Sequence, residues 1–216
     1  MEFSRQKHWD TIYKSTDTLK ASWAQEVPLV SLQFIQSFGM SKEASIIDIG
    51  GGDSKLVDFL LDCGYENITV LDISAQALMK SKNRLGNRAR KVKWIQEDIT
   101  EFSHNATYDI WHDRATFHFL TTNEDIDKYL SVAAGSVTGF MTIGTFSDVG
   151  PEKCSGLSVR QYSEDRLTRQ LEKDFDRLRC MTVDHYTPTS AKQNFLFCSF
   201  KRKRKGGSSP GVFTRK

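Results

Sequence analysis

The sequence predicts an α/β domain of the doubly wound type, with a mostly parallel sheet covered by helices on both faces. Short apolar runs that fit buried strands alternate along the chain with segments whose apolar residues recur at helical spacing. This alternation favours βαβ units, whose right-handed crossovers place helices on both faces of the sheet. A ligand is expected at the carboxyl ends of such strands, near the point where the strand order reverses.

The predicted elements follow one another at short intervals. Strands are expected at 45–50, 68–72, 92–95, 108–111, 140–146, 180–185 and 195–200. Helices are expected from Pro28 to Gly39, Ser54 to Gly64, Ser74 to Leu85, after Thr122, and from about Ser163 to Leu171. An irregular piece that contains Trp9, Tyr13 and Trp23 precedes the first of these helices.

The chain length of 216 residues fits one domain with short appendages. We expect an N-terminal helical section at 1–44, the main domain at 45–200 and a basic flexible tail at 201–216. The tail holds seven basic side chains and no acidic one, which leaves 23 basic against 27 acidic side chains elsewhere. Because this body carries a net negative charge, it is not a basic platform for nucleic acid.

The basic run at 201–205 is either a nuclear-localisation or polyanion-binding patch, or a solvated tail. The solvated tail is favoured because such runs are usually disordered. No stretch approaches the roughly 20 apolar residues that span a bilayer, and the N-terminus lacks the apolar run of a secretory signal. We therefore expect a cytoplasmic protein without membrane contact, with nuclear localisation through the basic run as the alternative.

Four scattered cysteines, Cys63, Cys154, Cys180 and Cys198, form neither a CxxC pair nor a zinc spacing. The pattern predicts reduced thiols of an intracellular protein and no metal site.

The loop after the first strand, residues 48–54, is the first candidate ligand site. Its three glycines allow a tight turn and let a ligand approach the backbone closely. A phosphate-binding loop would end in Gly-Lys-Ser/Thr, and this loop does not. A dinucleotide loop would need glycine where Lys55 stands, and the carboxylates of Asp48 and Asp53 would repel a pyrophosphate. The loop instead suits a ligand with an ammonium group and hydroxyls.

Two further strands end in acidic residues. Asp72 ends the second strand about 20 residues after the glycines, where an acid that accepts hydrogen bonds from ribose hydroxyls is expected. Asp98 and Ile99 follow the third strand, where a carboxylate can accept from an adenine amine while the aliphatic side chain covers the ring. Carboxyl ends of neighbouring parallel strands meet at one edge, so these acids are expected to share one site.

These motifs together resemble the nucleoside-binding motifs of class I S-adenosylmethionine methyltransferases, over roughly residues 8–200. The likeness is carried by Asp48, Gly50, Gly52, Asp72, Asp98 and Ile99. The stretch 111–120, together with segments 8–10 and 151–157, is similar to a bacterial-type branch of that family. A more distant likeness links the chain to elongation-factor and citrate-synthase lysine methyltransferases, which begin with a similar Trp-Asp-x-x-Tyr segment. Ser54 replaces a third glycine of many members, and a serine can cap the following helix.

The resemblance implies a seven-stranded sheet whose last strand is antiparallel, and S-adenosyl-L-methionine as the cofactor. It further implies that the glycine loop contacts the methionine part of the cofactor, Asp72 the ribose and Asp98 the adenine. The expected cofactor-binding residues are Asp48, Gly50, Gly51, Gly52, Asp72, Ile73, Asp98, Ile99 and His112.

Methyl transfer from a sulfonium is an in-line displacement, and a general base is needed only if the acceptor arrives protonated. The candidate bases are His112, Asp113 and His118, which we expect in the loop and early helix after the fourth strand. His112 is equally well explained as orienting the cofactor, and His118 as a core histidine. The candidate substrate residues are Tyr13, Trp23, Arg114 and Cys154. Arg114 either pairs with Asp113 or holds a carboxylate.

The acceptor is open at this point. A small molecule is favoured because no long insertion for docking a macromolecule is visible. A protein lysine is the alternative, since an acidic body attracts basic substrates. A non-catalytic binding module and a nicotinamide dehydrogenase are the remaining hypotheses.

Overall fold

The computed structural model describes residues 3–17, 20–103 and 105–204, so the predicted tail from 205 onward lies outside the described residues. Seven strands form the main sheet: β1 (Ser45–Ile49), β2 (Asn67–Asp72), β3 (Val92–Gln96), β4 (Tyr108–Arg114), β5 (Val137–Phe146), β8 (Phe175–Tyr186) and β9 (Lys192–Arg202). A separate small hairpin consists of β6 (Lys153–Cys154) and β7 (Leu157–Ser158).

The strand order of the sheet is β3-β2-β1-β4-β5-β9-β8. The pairs among β1 to β5 are parallel, whereas β9 runs antiparallel to both β5 and β8. The predicted seven-stranded sheet with an antiparallel last strand is therefore confirmed. The order reverses between β1 and β4, and this is where a doubly wound sheet opens a crevice for a ligand.

Six α-helices are described. They are α1 (Arg5–Ser15), α2 (Leu29–Ser37), α3 (Leu56–Asp62), α4 (Ala75–Leu85), α5 (Asn123–Ser136) and α6 (Glu164–Leu171). Ser74, Thr122 and Ser163 cap α4, α5 and α6, and each side chain accepts from a backbone amide three residues on. No helix among the described residues is both long and apolar enough to cross a bilayer.

Successive side chains of each strand point to opposite faces of the sheet, and this divides the core into two layers. In β1, Ile47 and Ile49 pack in the layer that holds residues of α5 and α6, whereas Ile46 packs with residues of α2, α3 and α4. All three isoleucines are fully buried, and each such side chain stabilises the fold by roughly 1.5–3 kcal/mol. Helices on both faces confirm the doubly wound architecture.

The N-terminal section differs from the prediction. The piece expected to be irregular contains α1, which Ser4 caps by accepting from the Lys7 amide. The apolar residues of this helix are Trp9, Ile12 and Tyr13, and a stripe of about one turn is too short to reveal the helix in the sequence. The second helix lies where expected, and its Phe34 is fully buried, so the section belongs to the core of the domain.

Three other expectations are corrected. Strand β4 continues three residues beyond the predicted end, to Arg114, and β9 continues to Arg202. The predicted tail therefore begins inside a strand. Cys180 and Cys198, expected as reduced thiols, are joined by a disulfide because the antiparallel register of β8 and β9 sets them opposite each other.

Candidate functional site

A cavity lies at the carboxyl ends of β1, β2, β3 and β4, on the edge of the sheet where the sequence places its glycines and acids. Helix α1 covers it. Most of the predicted site residues line it: Tyr13, Trp23, Asp48, Gly50, Gly51, Asp72, Ile73, Asp98, Ile99, His112, Arg114 and Cys154.

The glycine loop after β1 cannot carry side chains. Gly50 has a φ of +62°, and a Cβ atom on it would collide with the Thr116 hydroxyl. A Cβ atom on Gly51 would lie 2.6 Å from Asp48 Oδ2 and 2.8 Å from the Val70 side chain. The bare backbone is therefore a requirement of the fold here as well as an open path for a ligand.

A buried polar chain runs from β1 through β4 to α2. The Nδ1 atom of His112 lies 2.7 Å from Asp48 Oδ1, and its Nε2 atom lies 2.8 Å from Ser31 Oγ. Because a carboxylate only accepts, Nδ1 carries the proton, and Nε2 of the neutral ring then accepts from the Ser31 hydroxyl. All three side chains are buried and all line the cavity. The Ser31 Oγ atom and the second oxygen of Asp48 can still accept hydrogen bonds from a ligand.

Asp72 lies buried at the end of β2. Its carboxyl accepts from the amides of Ser74, at 2.7 Å, and Gly52. Burial is the largest influence on it and raises the pKa of Asp72 to about 7, and the nearby carboxylate of Asp48 adds to the rise. Because this pKa lies near neutral pH, a ligand that donates hydrogen bonds to Asp72 stabilises the ionised form of its carboxyl.

Helix α1 is held over the cavity by contacts with the segments that follow β2 and β3 and with the β6–β7 hairpin. Arg5 Nη1 lies 3.2 Å from Asp98 Oδ2. The Asp10 carboxylate accepts from the Ser74 hydroxyl at 2.7 Å, and His8 Nε2 lies 3.0 Å from the Ser155 carbonyl oxygen. These contacts fix the helix as the cover of the cavity.

Asp98 is more strongly engaged than the sequence suggests. Its Oδ1 atom accepts from the amide of Thr100 at 2.9 Å and from its hydroxyl at 2.8 Å, while Oδ2 faces Arg5. The aliphatic side chains of Ile73 and Ile99 line the cavity beside it. This end of the cavity is a slot with apolar walls and a carboxylate at its rim.

Four aromatic rings form another part of the cavity wall. Trp9 packs edge-on against Phe119 at 4.9 Å between ring centroids and against Trp23 at 6.3 Å, and Trp23 packs against Tyr13 at 5.9 Å. All four rings line the cavity, and we call them the aromatic group. The predicted substrate residues Tyr13 and Trp23 belong to it.

Arg114 and Cys154 border the aromatic group. Arg114 Nη1 donates to the Trp23 carbonyl oxygen at 3.1 Å, and the guanidinium carbon lies 5.2 Å from the centre of the Phe195 ring. Burial lowers the pKa of Arg114 to about 10, so it remains a cation at neutral pH. Burial also raises the pKa of the Cys154 thiol, which keeps it neutral.

Three predicted residues lie outside the cavity lining. Asp113 points to the opposite face of β4, where Oδ2 accepts from Tyr129 at 2.8 Å and Oδ1 accepts from the amides of Thr116 and Phe117. His118 is a fully buried core histidine whose Nδ1 accepts from the Phe146 amide, and burial lowers its pKa to about 3. Neither is placed to act as the base. Gly52 lies behind the lining.

Several lining residues have no strong signal in the sequence. Ser31 lies among apolar residues of α2, and nothing in the sequence marks it. Only the packing of α2 against β4 brings it to His112. Arg5 and Trp9 face the cavity only because α1 folds over it. In the sequence, only the family resemblance distinguishes the segment 8–10. A helix there aligns Arg5, Trp9 and Tyr13 on one face at intervals of four.

The family model described as "Methyltransferase domain" matches residues 46–138, slightly less than half of the chain. The Mus musculus protein "eEF1A lysine and N-terminal methyltransferase" is 26% identical over 125 residues, which is 57% of this chain and 18% of that protein. The Homo sapiens protein "EEF1A lysine methyltransferase 2" is 28% identical over 132 residues, which is 55% of each protein. The chain thus spans about half or less of the curated relatives it matches.

A solved structure covers the chain more fully. The 1,6-didemethyltoxoflavin-N1-methyltransferase of Burkholderia thailandensis, with bound 1,6-didemethyltoxoflavin and S-adenosylhomocysteine, matches with a TM-score of 0.66 at 16% identity. The match covers 92% of this chain and 84% of that one. At this identity the likeness shows the fold.

Proposed function

We propose that this chain, which carries a methyltransferase domain of the S-adenosylmethionine-dependent class, transfers the methyl group to a small-molecule acceptor. The observation that carries the proposal is the cavity itself. Bare backbone and the carboxyls of Asp48, Asp72 and Asp98 converge on one crevice at the switch point of the sheet.

The residues of this crevice would hold the cofactor along it. Ile73 and Ile99 would cover the adenine, and Asp98 would lie near its amine. Asp72 would accept from the two ribose hydroxyls, and these donors would favour its ionised form. The glycine loop would hold the methionine part, with Asp48 near its ammonium. In this orientation the methyl group would face the aromatic group.

The reaction is a single displacement. The acceptor atom forms a bond to the methyl carbon as the bond from that carbon to sulfur breaks, and sulfur keeps the electron pair. The products are the methylated acceptor and the thioether S-adenosylhomocysteine. Alignment of the two reactants is the main contribution of the protein, and such positioning accounts for several kcal/mol of barrier reduction. The aromatic rings exclude water and favour the sulfonium by cation–π attraction.

An acceptor that arrives protonated needs a route for its proton. Ser31 Oγ accepts the proton from the acceptor as its own proton passes to His112 Nε2. The imidazolium that forms is held by the Asp48 carboxylate. In this role His112 is the proton acceptor, and Ser31 is the group that touches the substrate.

A protein lysine is the second candidate acceptor. Two relatives named as lysine methyltransferases favour it. The covered cavity favours the small molecule, because α1 leaves a compact aromatic space rather than an open groove for a peptide.

Two measurements test the proposal. Calorimetric titration of the full chain with S-adenosylhomocysteine should show binding, and its absence contradicts the assignment. Incubation with methyl-labelled cofactor and a cell lysate should place label in the low-molecular-weight fraction, whereas label in protein alone favours the second candidate.

A pair of variants on α2 tests the proton route. Ser31→Ala should lower the rate of labelling about tenfold or more, because it breaks a general-base relay, with the affinity for S-adenosylhomocysteine unchanged. Ser37→Ala on the same helix is the control, since its hydroxyl only donates to the Phe34 carbonyl oxygen. Equal rates in the two variants would remove Ser31 from the mechanism.

A further inference from the structure

Arg114 is a partly buried cation with one free edge. Its Nη1 atom donates to the Trp23 carbonyl oxygen, but Nε and Nη2 are buried and have no hydrogen-bond partner among the described residues. The carboxylate of Asp48 raises the pKa of Arg114 through its charge, but it is hydrogen-bonded to His112 instead. Buried N–H groups of a guanidinium are costly unless they are paired.

The free edge has a specific shape. Nε and Nη2 of a guanidinium present two parallel N–H groups that match the two oxygens of a carboxylate. A lysine at this position would offer a single ammonium without that fork. The arrangement therefore selects a planar anion.

A second cavity leads to the same residue. It shares Arg114 and Trp23, among others, with the first cavity and is further lined by the cations Lys55, Lys80 and Arg84 and by the carboxylates Asp17 and Asp53. Arg84 is paired with Asp53 and Asp58, whereas Lys80 donates to a backbone carbonyl and Lys55 has no ion pair among the residues the structure describes. With four cations against two carboxylates, the lining of this second cavity carries a net positive charge and attracts anions.

We propose that the acceptor is a small planar organic acid whose carboxylate is held by the Nε–Nη2 edge of Arg114, with its ring against the aromatic group. The inference rests on the proposed methyl transfer and names its substrate class. Both carboxylate oxygens are engaged in this arrangement, so the methyl group goes to another atom of the acceptor. A protein lysine is disfavoured, because its ammonium would meet the guanidinium.

The test uses the full chain saturated with S-adenosylhomocysteine. Benzoate, salicylate, anthranilate and indole-3-acetate are titrated by calorimetry, each beside its uncharged primary amide. We expect at least one acid to bind about tenfold or more tightly than its amide, the scale of a lost charge-assisted hydrogen-bonded pair. Arg114→Met should abolish this preference, and Arg114→Lys should recover only part of it.

Arg88→Met is the control, because Arg88 is exposed and pairs with Asp62 away from both cavities. It should leave the preference intact. The affinity for S-adenosylhomocysteine should be the same in all variants.

Three results overturn the proposal. In the first, no acid binds although S-adenosylhomocysteine does. In the second, Arg114→Met lowers the affinity for S-adenosylhomocysteine but not for 5′-methylthioadenosine, which lacks the amino-acid part. That result assigns the guanidinium to the carboxylate of the cofactor. In the third, acids and amides bind equally. Absence of S-adenosylhomocysteine binding is a separate failure, since it removes the proposed function itself.

Discussion

Replacement of Asp72 by asparagine should change stability and cofactor affinity in opposite directions. The side chain is buried at the tip of β2, and burial raises its pKa to about 7. Asparagine has nearly the same shape but cannot ionise. The variant Asp72→Asn therefore removes a buried charge at alkaline pH and, with it, the acceptor proposed for the ribose hydroxyls.

The magnitude follows from proton linkage. An aspartate in an unfolded chain has a pKa of about 3.9, so between roughly pH 4 and 7 the folded state binds more protons than the unfolded state. The stability that Asp72 confers is therefore present at low pH and is lost as the pH rises through about 7. Because pH 5 lies about two units below the folded pKa, the loss between pH 5 and 8.5 is about 3 kcal/mol.

Urea denaturation at the two pH values measures this difference. When the pH is raised from 5 to 8.5, the free energy of unfolding of the wild type should fall by about 3 kcal/mol relative to that of the variant. This difference does not depend on the stability of the variant at pH 5. Affinity for S-adenosylhomocysteine should tighten with rising pH in the wild type, because hydroxyl donors favour the ionised carboxyl. In the variant it should be weaker by about 1–3 kcal/mol at pH 8.5 and insensitive to pH.

Asp113→Asn is the matched control. Its carboxyl is also buried, and burial raises its pKa to about 6, but it lies outside the cavity. It should shift the pH dependence of stability without changing the affinity. The reasoning is refuted if Asp72→Asn shows the pH profile of the wild type, or if it binds S-adenosylhomocysteine equally well.

Two other outcomes are expected. Tyr129→Phe should lower the free energy of unfolding by about 2–3 kcal/mol, because it leaves Trp111 Nε1 and Asp113 Oδ2 without their partner; chemical denaturation measures this, and a change under 0.5 kcal/mol would contradict it. Truncation after residue 204 should leave the melting temperature unchanged, whereas truncation after residue 200 should lower it. The longer deletion removes Arg202, which donates to Asp174 and to the Ala134 carbonyl oxygen. Equal melting temperatures would show that the end of β9 adds nothing to the sheet.

The sequence alone determined the order of the seven strands of the sheet and of helices α2 to α6, and the edge of the sheet that holds the site. Both are local properties, because strands, helices and their caps depend on residues a few positions apart. Parallel strands then bring their carboxyl ends together by a general rule. Hence Asp48, Asp72 and Asp98 were identified as neighbours although more than 20 residues separate each from the next.

Only the tertiary structure decided which side chains act together. Because β4 runs on to Arg114, alternation directs His112 and Arg114 to the cavity and Asp113 away from it. The partner of His112 depends on how α2 packs against the sheet. The free edge of Arg114 and the disulfide of β8 and β9 depend on contacts between residues far apart in the chain. Such contacts are set by packing and strand register, which the periodicity of a single segment does not encode.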